Sequence, residues 1–409
     1  MFFFYKILIN FLLLLSPIIF IIRLIKGKED YLRFKEKLGF FSKKRNVGKL
    51  IWFHGASVGE IQSIIPLIEK FEKNKKINQI LITSNTKSSS YIIKKLKFKK
   101  TIHQFFPIDC NLISKKFINY WKPSKVFFID SEIWPNTLHN LYEIDVPIIL
   151  LNGRITKKTF NRWLIFSKFA NSIFSKFSLC LSSSKESKIF LKRLGAKNVK
   201  LIGNLKYSQS ENKDMNLNKN LKKFIFSRNS WCASSTHNHE EEICGKAHLI
   251  LMKKYKNLLT IIIPRHIDRV SSIKDQLLKM NLTVHLDEPK KKINPNTDVY
   301  LVNSYGKTKS FYKLCKNVFL GGSLIKHGGQ NPLEAVRYGC NIIHGPNISN
   351  FKEIYEFLKK KNVSNKVIDQ KNLASVLYKN LKKKNRSKKI IQNLHFVGVD
   401  ILNKTYKEI

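Results

Sequence analysis

Short apolar runs alternate with helical patterns through the first half of the chain. The runs occupy residues 49–54, 79–84, 125–129, 147–151 and 179–182. Strands of a parallel sheet read as continuous apolar runs because helices cover both faces of the sheet. The alternation therefore predicts an α/β domain with a parallel sheet between two helical layers.

The same alternation resumes in the second half, after a polar interruption. The later runs occupy residues 230–234, 259–263, 282–285, 299–302, 317–320 and 341–343. The interruption at 207–220 (YSQSENKDMNLNKN) has neither the apolar run of a strand nor the apolar spacing of a helix, and it is typical of a linker. Doubly wound sheets bind ligands beyond the carboxyl ends of their strands, so two such halves predict a ligand cleft between them. The lysine-rich helical tail after Lys371 is expected to pack back on the body.

The first 22 residues form a separate apolar segment whose only charge is Lys6. As a helix they would span about 33 Å, enough to cross a bilayer. No small-residue cleavage site follows, and six cations stand behind the segment, at Arg23, Lys26, Lys28, Arg33, Lys35 and Lys37. This asymmetry predicts a membrane anchor with the larger part of the chain in the cytoplasm. Asn10 and Pro17 leave open whether the segment spans the bilayer or lies in its interface.

The net charge is +47, with 75 Lys plus Arg against 28 Asp plus Glu. The excess is mostly scattered lysine and resembles compositional drift, and a basic surface suits an anionic lipid leaflet. Nucleic-acid binding ranks last among the functions considered, because aromatic and basic residues do not interleave as in base-stacking surfaces.

The cysteines and histidines predict no metal site. The six cysteines stand far apart, at Cys110, Cys180, Cys232, Cys244, Cys315 and Cys340, which favours reduced, buried thiols in a cytosolic compartment. His237 and His239 precede Glu240, Glu241 and Glu242, and we expect the two histidines to be solvated polar groups at a helix start. A D-x-D metal motif is absent from the sequence.

A polar motif, HGASVGE, follows the first apolar run at residues 54–60. Two glycines and a serine favour a tight turn that leaves Glu60 at or near the start of a helix. A carboxylate there either caps the helix dipole or acts as a general base in the cleft. The residues alone leave both roles open.

A second motif, DSEIWPN, follows the run 125–129 directly. Two acids, a Trp and a Pro at the end of a buried strand indicate a site that needs polar groups. Glu132 either holds a neighbouring base or a substrate hydroxyl, or caps a helix. Farther along, GNLK closes the first half and places Lys206 where a phosphate would need positive charge.

The second half carries polar groups after three of its predicted strands. Arg265 and His266 follow the run 259–263, where a guanidinium suits a phosphate. The turn Gly306, Lys307, Thr308 follows 299–302.

The run 317–320 opens into GGSLIKHGGQNPLEA at residues 321–335. Glycines let the backbone approach a ligand, and a helix N-terminus offers free N–H groups to a phosphate. Glu334 in the first helical turn can accept hydrogen bonds from ribose hydroxyls. This pattern indicates nucleotide binding, with an ordinary β–α turn as the alternative.

Six motifs in order resemble those of bacterial 3-deoxy-D-manno-octulosonic acid (Kdo) transferases of lipopolysaccharide synthesis: HGASVGE, SEIWPN, LNGRIT, GNLK, PRH and GGSLIKHGGQNPLEA. The resemblance covers essentially the whole chain, including RFKEKLGF at 33–40. It implies a GT-B type α/β fold, with two Rossmann-like doubly wound domains and an interdomain cleft behind an N-terminal membrane-anchor helix. The expected division is an anchor at 1–25, an acceptor-binding domain at 26–206, a linker at 207–220 and a CMP-sugar-binding domain at 221–409.

The resemblance also implies an activity. The family moves Kdo from CMP-Kdo to a hydroxyl of the lipid A precursor (lipid IVA), with inversion and without a metal or cofactor, at the cytoplasmic face of the inner membrane. By this resemblance Glu60 is the base, and Glu132 and Lys206 stabilise the transition state. The matching CMP-binding positions are Arg265, His266, Gly306, Lys307, Thr308, Asn331, Pro332, Leu333 and Glu334.

A sugar-nucleotide epimerase is the main alternative, because such enzymes share the two-domain architecture. They are usually soluble and need no lipid, so the N-terminal apolar segment argues against this alternative.

Overall fold

The computed structural model describes residues 1–209, 217–288, 292–383 and 387–409. The chain divides into two compact units, Met1–Ser210 with Val397–Ile409, and Glu211–Phe396. Each unit contains a seven-stranded sheet whose strand pairs are all parallel. The predicted α/β class with parallel sheets is confirmed.

In the first unit, strands and helices alternate behind a long N-terminal helix. The helices are α1 (Phe2–Ile25), α2 (Val58–Glu72), α3 (Lys87–Lys95), α4 (Asn111–Trp121), α5 (Pro135–Tyr142), α6 (Lys157–Leu164), α7 (Ser167–Phe174) and α8 (Lys185–Arg193). The strands are β1 (Leu50–His54), β2 (Gln79–Ser84), β3 (Thr101–Phe105), β4 (Lys125–Ile129), β5 (Ile148–Gly153), β6 (Leu179–Ser182) and β7 (Val199–Leu201). Short 3₁₀ helices occupy Phe34–Leu38 and Leu205–Ser208.

The second unit repeats this organisation. Its strands are β8 (Asn229–Thr236), β9 (Leu258–Pro264), β10 (Val284–Leu286), β11 (Val299–Leu301), β12 (Asn317–Leu320), β13 (Asn341–His344) and β14 (Ser364–Lys366). Its helices are α9 (Lys219–Phe226), α10 (Glu240–Met252), α11 (Val270–Leu278), α12 (Thr308–Leu314), α13 (Leu333–Arg337), α14 (Lys352–Lys360) and α15 (Gln370–Lys382), followed by α16 (Ser387–Glu408). A 3₁₀ turn covers Ile267–Arg269.

The strand orders place a topological switch point in each sheet. The first sheet runs β3-β2-β1-β4-β5-β6-β7 and the second β10-β11-β9-β8-β12-β13-β14. The strands that follow β1 in the chain, β2 and β3, lie on one side of it, and β4 to β7 lie on the other. In the second sheet β9 to β11 lie on one side of β8, and β12 to β14 lie on the other. Open α/β sheets bind ligands outside the strand carboxyl ends at such points. Glu60 follows β1, Glu132 follows β4 and Gly321 follows β12, so the sequence motifs stand at these positions.

Both faces of the first sheet are buried, which explains why its central strands are predominantly apolar. Trp52 packs into one hydrophobic cluster with Phe128, and Phe53 packs into another with Phe127. Neighbouring residues of a strand point to opposite faces, so adjacent aromatic residues fill the two helical layers separately.

The C-terminal end of α16 belongs to the first unit, although the sequence predicted that 221–409 would form the second domain. Ile401 is buried in the same cluster as Phe53, and the Tyr406 ring lies 5.3 Å from the Phe71 ring. Apolar packing against the first sheet therefore assigns the end of α16 to the first unit, although it follows the second unit in the sequence. Of the predicted linker 207–220, residues 210–216 lie outside the described part of the chain. The other domain boundaries stay predictions.

All six cysteines are free and buried, as predicted from their spacing. Within the described residues, α1 is the one helix long and apolar enough to cross a membrane, which fits the predicted anchor.

Candidate active site

Glu60 lies in the first turn of α2 and forms a capping box with Ser57. The Ser57 hydroxyl donates to Glu60 Oε1 at 2.8 Å, and the Ala56 N–H donates to Oε2 at 2.7 Å. The capping role that the sequence left open is therefore real. It does not exclude a base, because a carboxylate held by hydrogen bonds keeps lone pairs for a further proton.

The surroundings of Glu60 raise its pKa to about 7, from an ordinary value near 4.5. Burial is the largest cause, followed by the negative charges of Glu132 and Asp130. The hydrogen bonds from Ser57 and Ala56 act in the opposite direction and lower the pKa. A carboxyl group with this pKa changes protonation state at neutral pH, as a general base requires.

Glu132 lies between two aromatic groups after β4. Its Oε2 accepts from Trp134 Nε1 at 3.0 Å and stands 3.4 Å from His54 Nε2. His54 is fully buried, and burial lowers its pKa. Its Nδ1 lies 2.9 Å from Thr83 Oγ1. The His54 contact lacks hydrogen-bond geometry, so the bond from Trp134 is the one that orients the Glu132 carboxylate here.

Asp130 joins the site, although sequence reasoning assigned it no role. It adopts φ 57°, and its Oδ2 pairs with Lys206 Nζ at 2.9 Å. Its other oxygen accepts from the Asn152 amide, whose Oδ1 in turn accepts from the N–H of Leu205. Lys206 is thus positioned by Asp130. Two available signals were the place of Asp130 directly after a buried strand and its place beside Glu132 in one motif.

In the second unit, the buried carboxylate of Glu240 organises the glycine-rich loop after β12. Its Oε2 accepts from Gly322 N at 2.7 Å, and its Oε1 accepts from the N–H groups of Ser323 and Leu324 at 3.0 Å. Oε2 also accepts from His237 N at 2.9 Å. The sequence interpretation of His237 and His239 as solvated groups holds for His239, which is exposed, and is wrong for His237, which is buried. Glu240, beside them, is fully buried. Its position after β8, at the switch point, was the missed signal.

Gly321 is needed because the loop passes directly over β8. A Cβ atom there would lie 2.3 Å from the carbonyl oxygen of Ser235 and 2.6 Å from Thr236 Cα. Since both are backbone atoms, no side-chain movement relieves the clash. The glycine thus serves close packing at this position.

Three histidines gather beside this loop. The His237 ring lies 4.3 Å from the His327 ring and 6.0 Å from the His266 ring. The pKa of His237 falls to about 4, first through burial and then through His327, His266 and two nearby arginines. A bound anion would offset the charge of the two arginines, Arg265 and Arg269.

The predicted CMP-binding positions are only partly grouped. Arg265 and His266 are exposed at the end of β9, close to His237. Lys307, in the turn from Gly306 to Thr308, forms an ion pair with Asp287 at 2.6 Å, which offsets its positive charge.

Asn331 and Pro332 directly precede α13, and Leu333 and Glu334 are the first two of its five residues. Asn331 Oδ1 accepts from the N–H of Leu333, whose side chain is fully buried. Pro332 is also buried, whereas Glu334 is partly exposed and lies 3.7 Å from Lys309 Nζ. Of these four residues, Glu334 is the one with a charged side chain available to a ligand.

Comparison with known proteins connects this geometry to one family. The family described as 3-Deoxy-D-manno-octulosonic-acid transferase (kdotransferase) matches residues 32–209. The transferase of Haemophilus influenzae is 32% identical over 318 residues, 75% of this chain and 73% of that protein. The transferase of Rickettsia bellii is 31% identical over 371 residues, 89% of this chain and 88% of that protein. The chain belongs to the 3-deoxy-D-manno-octulosonic acid transferase family. It is a glycosyltransferase.

Solved structures support the fold of this transferase. The UDP-GlcNAc 2-epimerase of Neisseria meningitidis, solved bound to UDP-GlcNAc, gives a TM-score of 0.59, covering 87% of this chain and 100% of that one. At 14% identity this likeness shows the fold alone. The predicted GT-B type class is confirmed, and family membership decides against the epimerase alternative.

The transferase also has a large basic cavity in its first unit, beside the end of α1. Its volume is about 960 Å³. Its charged lining is predominantly positive, with one carboxylate: Arg23, Lys28, Asp30, Arg33, Lys87 and Lys94. Val58, two residues before Glu60, also lines it. In the described part of the chain, no three His, Cys, Asp or Glu side chains are grouped to hold a metal ion.

Replacing His239 by Gly is expected to stabilise the transferase by about 0.5–1 kcal/mol, because a left-handed backbone disfavours residues with a Cβ. His239 is exposed and has φ 70° at the start of α10. Urea denaturation measures the change. His239→Ala retains the strain and should give no gain; equal stabilisation by both variants would contradict the backbone explanation.

Proposed function

We propose that this protein transfers Kdo from CMP-Kdo to a hydroxyl of the lipid A precursor lipid IVA, with inversion and without a metal or other cofactor. In this proposal the first unit binds the acceptor and carries the base, and the second unit binds the donor. The observation that carries it is Glu60, a carboxyl group with a pKa of about 7 at the switch point of the first sheet.

The proposed step is a single displacement. The acceptor hydroxyl attacks the anomeric carbon of Kdo and loses its proton to Glu60. A carbon–oxygen bond forms to the acceptor, while the bond to the CMP phosphate oxygen breaks and its electron pair leaves with CMP. Attack opposite the leaving group inverts the anomeric centre. Glu60 ends protonated and returns its proton to solvent.

Fixed positive charge supports departure of CMP. Lys206, held by Asp130, is the proposed charge of the first unit, and Glu132 orients polar groups beside the base. In the second unit, Arg265, His266 and Glu334 are the proposed CMP contacts with charged or titratable side chains. Preorganised cations stabilise a developing phosphate charge without rearranging in the transition state.

The basic cavity is the proposed acceptor site. Lipid A precursors carry phosphates, and arginine and lysine side chains bind phosphate oxygens through charge-assisted hydrogen bonds. Arg23 and Lys28 place two of these cations at the end of the apolar helix α1, while Val58 places the cavity next to the helix that carries Glu60. This arrangement supports a lipid acceptor and a location at the cytoplasmic face of the inner membrane.

The activity is tested with purified full-length protein, CMP-Kdo and a tetraacyl lipid A precursor. We expect CMP release that requires the lipid, and a lipid product heavier by one or more Kdo residues. Product of retained anomeric configuration, or activity lost on chelation and restored by a divalent ion, would contradict the proposed mechanism. Interconversion of a sugar nucleotide without any acceptor would contradict the function itself.

Replacing Ser57 by Ala is expected to move the acid limb of the pH profile upward. The Ser57 hydrogen bond lowers the pKa of Glu60, so its loss raises a pKa that is already about 7. A base works unprotonated, so the rise in kcat/KM then occurs at higher pH, by roughly 0.5–1 unit.

Ser184→Ala is the matched control, because Ser184 caps α8 in the same unit through a bond to Ser187 N at 2.9 Å. Both variants lose a helix cap at a cost of about 1 kcal/mol. Ser184→Ala should leave the limb near pH 7. An unchanged limb in Ser57→Ala would mean that a group other than Glu60 sets it.

A further inference from the structure

Helix α1 packs against the first unit along one narrow stripe. The residues of the stripe recur three or four positions apart and are buried or half-buried: Phe2, Tyr5, Ile9, Leu13, Ser16 and Phe20. This spacing places them on one face of a helix. Because the stripe runs from the first turn to the fifth, the helix is docked over most of its length of about 36 Å.

The N-terminal half of α1 contacts interior groups of the first unit. The Phe2 ring lies 4.9 Å from the His139 ring. The Tyr5 hydroxyl donates to Asp109 at 2.7 Å. Cys110 Sγ lies 3.3 Å from Asn10 Oδ1.

The C-terminal half contacts the same unit. The Phe20 ring lies 5.9 Å from the Phe34 ring, and Arg23 pairs with Glu29 at 2.6 Å. Both ends of α1 therefore lie against one folded body. In a spanning helix the two ends lie on opposite sides of a hydrocarbon layer about 30 Å thick.

The partners near the first turn are not compatible with hydrocarbon. Asp109 is buried and also accepts from the backbone N–H groups of Asn136 and Thr137 at 2.9 and 2.8 Å. A docked helix that crossed the bilayer would draw this carboxylate and its loop into lipid, where polar groups are costly. To cross the bilayer, α1 would have to separate from the first unit and lose these contacts.

The face of α1 away from the body is apolar and exposed. Its exposed apolar residues are Phe3, Phe4, Ile7, Leu8, Phe11, Leu12, Leu14, Leu15, Ile18, Ile19, Ile21, Ile22 and Ile25. Cations stand near both ends of this face, at Lys6 and at Arg23, Lys26 and Lys28. Apolar side chains flanked by lysines and arginines match the acyl layer and anionic headgroups of a leaflet.

We propose that α1 lies in the plane of the cytoplasmic leaflet, docked on the first unit, so that the N-terminus stays on the cytoplasmic side. This inference rests on the proposed membrane location. Its consequence concerns the basic cavity, which Arg23, Gly27 and Lys28 line at the end of α1. The cavity is then held at headgroup level, where a lipid acceptor enters without leaving its leaflet.

Asn10→Cys in the full-length protein tests the docking through native Cys110. In membranes treated with a mild oxidant we expect a disulfide that closes a loop of about 100 residues, seen as faster migration on a non-reducing gel. Phe11→Cys, one residue along on the outward face, is the matched control and should show no such band. Removing Cys110 (Cys110→Ser) from the Asn10→Cys variant should abolish the band.

The side on which the N-terminus lies is tested with a neutral peptide that carries a protease site, fused before Met1. Protease should remove it from inverted vesicles and not from intact spheroplasts; the same peptide after Ile409 reports the cytoplasmic side. Cleavage in spheroplasts would show that α1 spans, and no disulfide in Asn10→Cys membranes would show that α1 is not docked on the first unit. Either result would overturn the proposal while leaving the transferase activity standing.

Two further results would also count against the in-plane helix. If the full-length protein stayed in the soluble fraction after cell lysis, the membrane location itself would be contradicted. A Phe11→Cys dimer in that fraction would assign the apolar face to a second copy of the chain.

Discussion

Glu60→Gln is expected to lower kcat for Kdo transfer by about 10²- to 10⁴-fold, the usual contribution of a positioned general base. The amide keeps the size of the side chain and can still serve in the capping box with Ser57, so the fold is retained. It cannot take a proton from the acceptor hydroxyl. Initial rates of CMP release with saturating donor and acceptor measure the loss, and circular dichroism checks the fold.

Glu69→Gln is the control for this variant. Glu69 is an exposed carboxylate on the same helix, α2, so Glu69→Gln makes the same carboxyl-to-amide change away from the site and should leave the rate within about twofold. The pH profile adds a second criterion, since the residual activity of Glu60→Gln should lack the acid limb near pH 7. Full activity in Glu60→Gln would exclude Glu60 as the base.

Glu240→Gln is expected to destabilise the second unit by about 2–4 kcal/mol and to raise KM for the donor at least tenfold. The carboxylate accepts four backbone N–H groups, three of them from Gly322, Ser323 and Leu324. An amide has one oxygen, so two donors would face its NH₂ group in a buried site. Urea denaturation and donor titration of the initial rate measure the two effects.

Glu242→Gln provides the comparison in the same helical turn. Glu242 forms a surface pair with Lys246 at 2.6 Å, and such pairs contribute less than about 1 kcal/mol. It should change neither stability nor donor KM appreciably. If Glu240→Gln lowered stability but left KM unchanged, Glu240 would be structural only and would not position the loop for the donor.

The sequence predicted the central strands of both sheets and missed strands at their edges. β1, β4, β9 and β12 are predominantly apolar because helices cover both faces of each sheet. Three strands were not predicted: β3, β7 and β14, each of which is an edge strand. β14 reads Ser-Asn-Lys and has no apolar run. Pairing with a neighbouring strand decides such segments, and pairing is not local information.

For the site, too, the sequence predicted features that depend on local pattern and missed those that depend on contacts between distant residues. Glu60 and Glu132 were recognisable because each belongs to a polar motif at the end of a buried strand. The pairing of Lys206 with Asp130 joins residues 76 positions apart, and the bonds from Glu240 to the glycine-rich loop join residues more than 80 apart. Such contacts depend on which strand ends meet at the switch point. Residue order does not show this without the sheet topology.

The sequence by itself determined the α/β class, the apolar N-terminal segment and the family, because strand burial, hydropathy and ordered motifs are local patterns. Only the tertiary structure decided that Glu60 has a pKa of about 7, since burial and the charges of Glu132 and Asp130 act through space. It also decided that α1 lies along the first unit. A helix apolar on all sides carries no sequence signal for the face it buries, and only the surface that receives it supplies one.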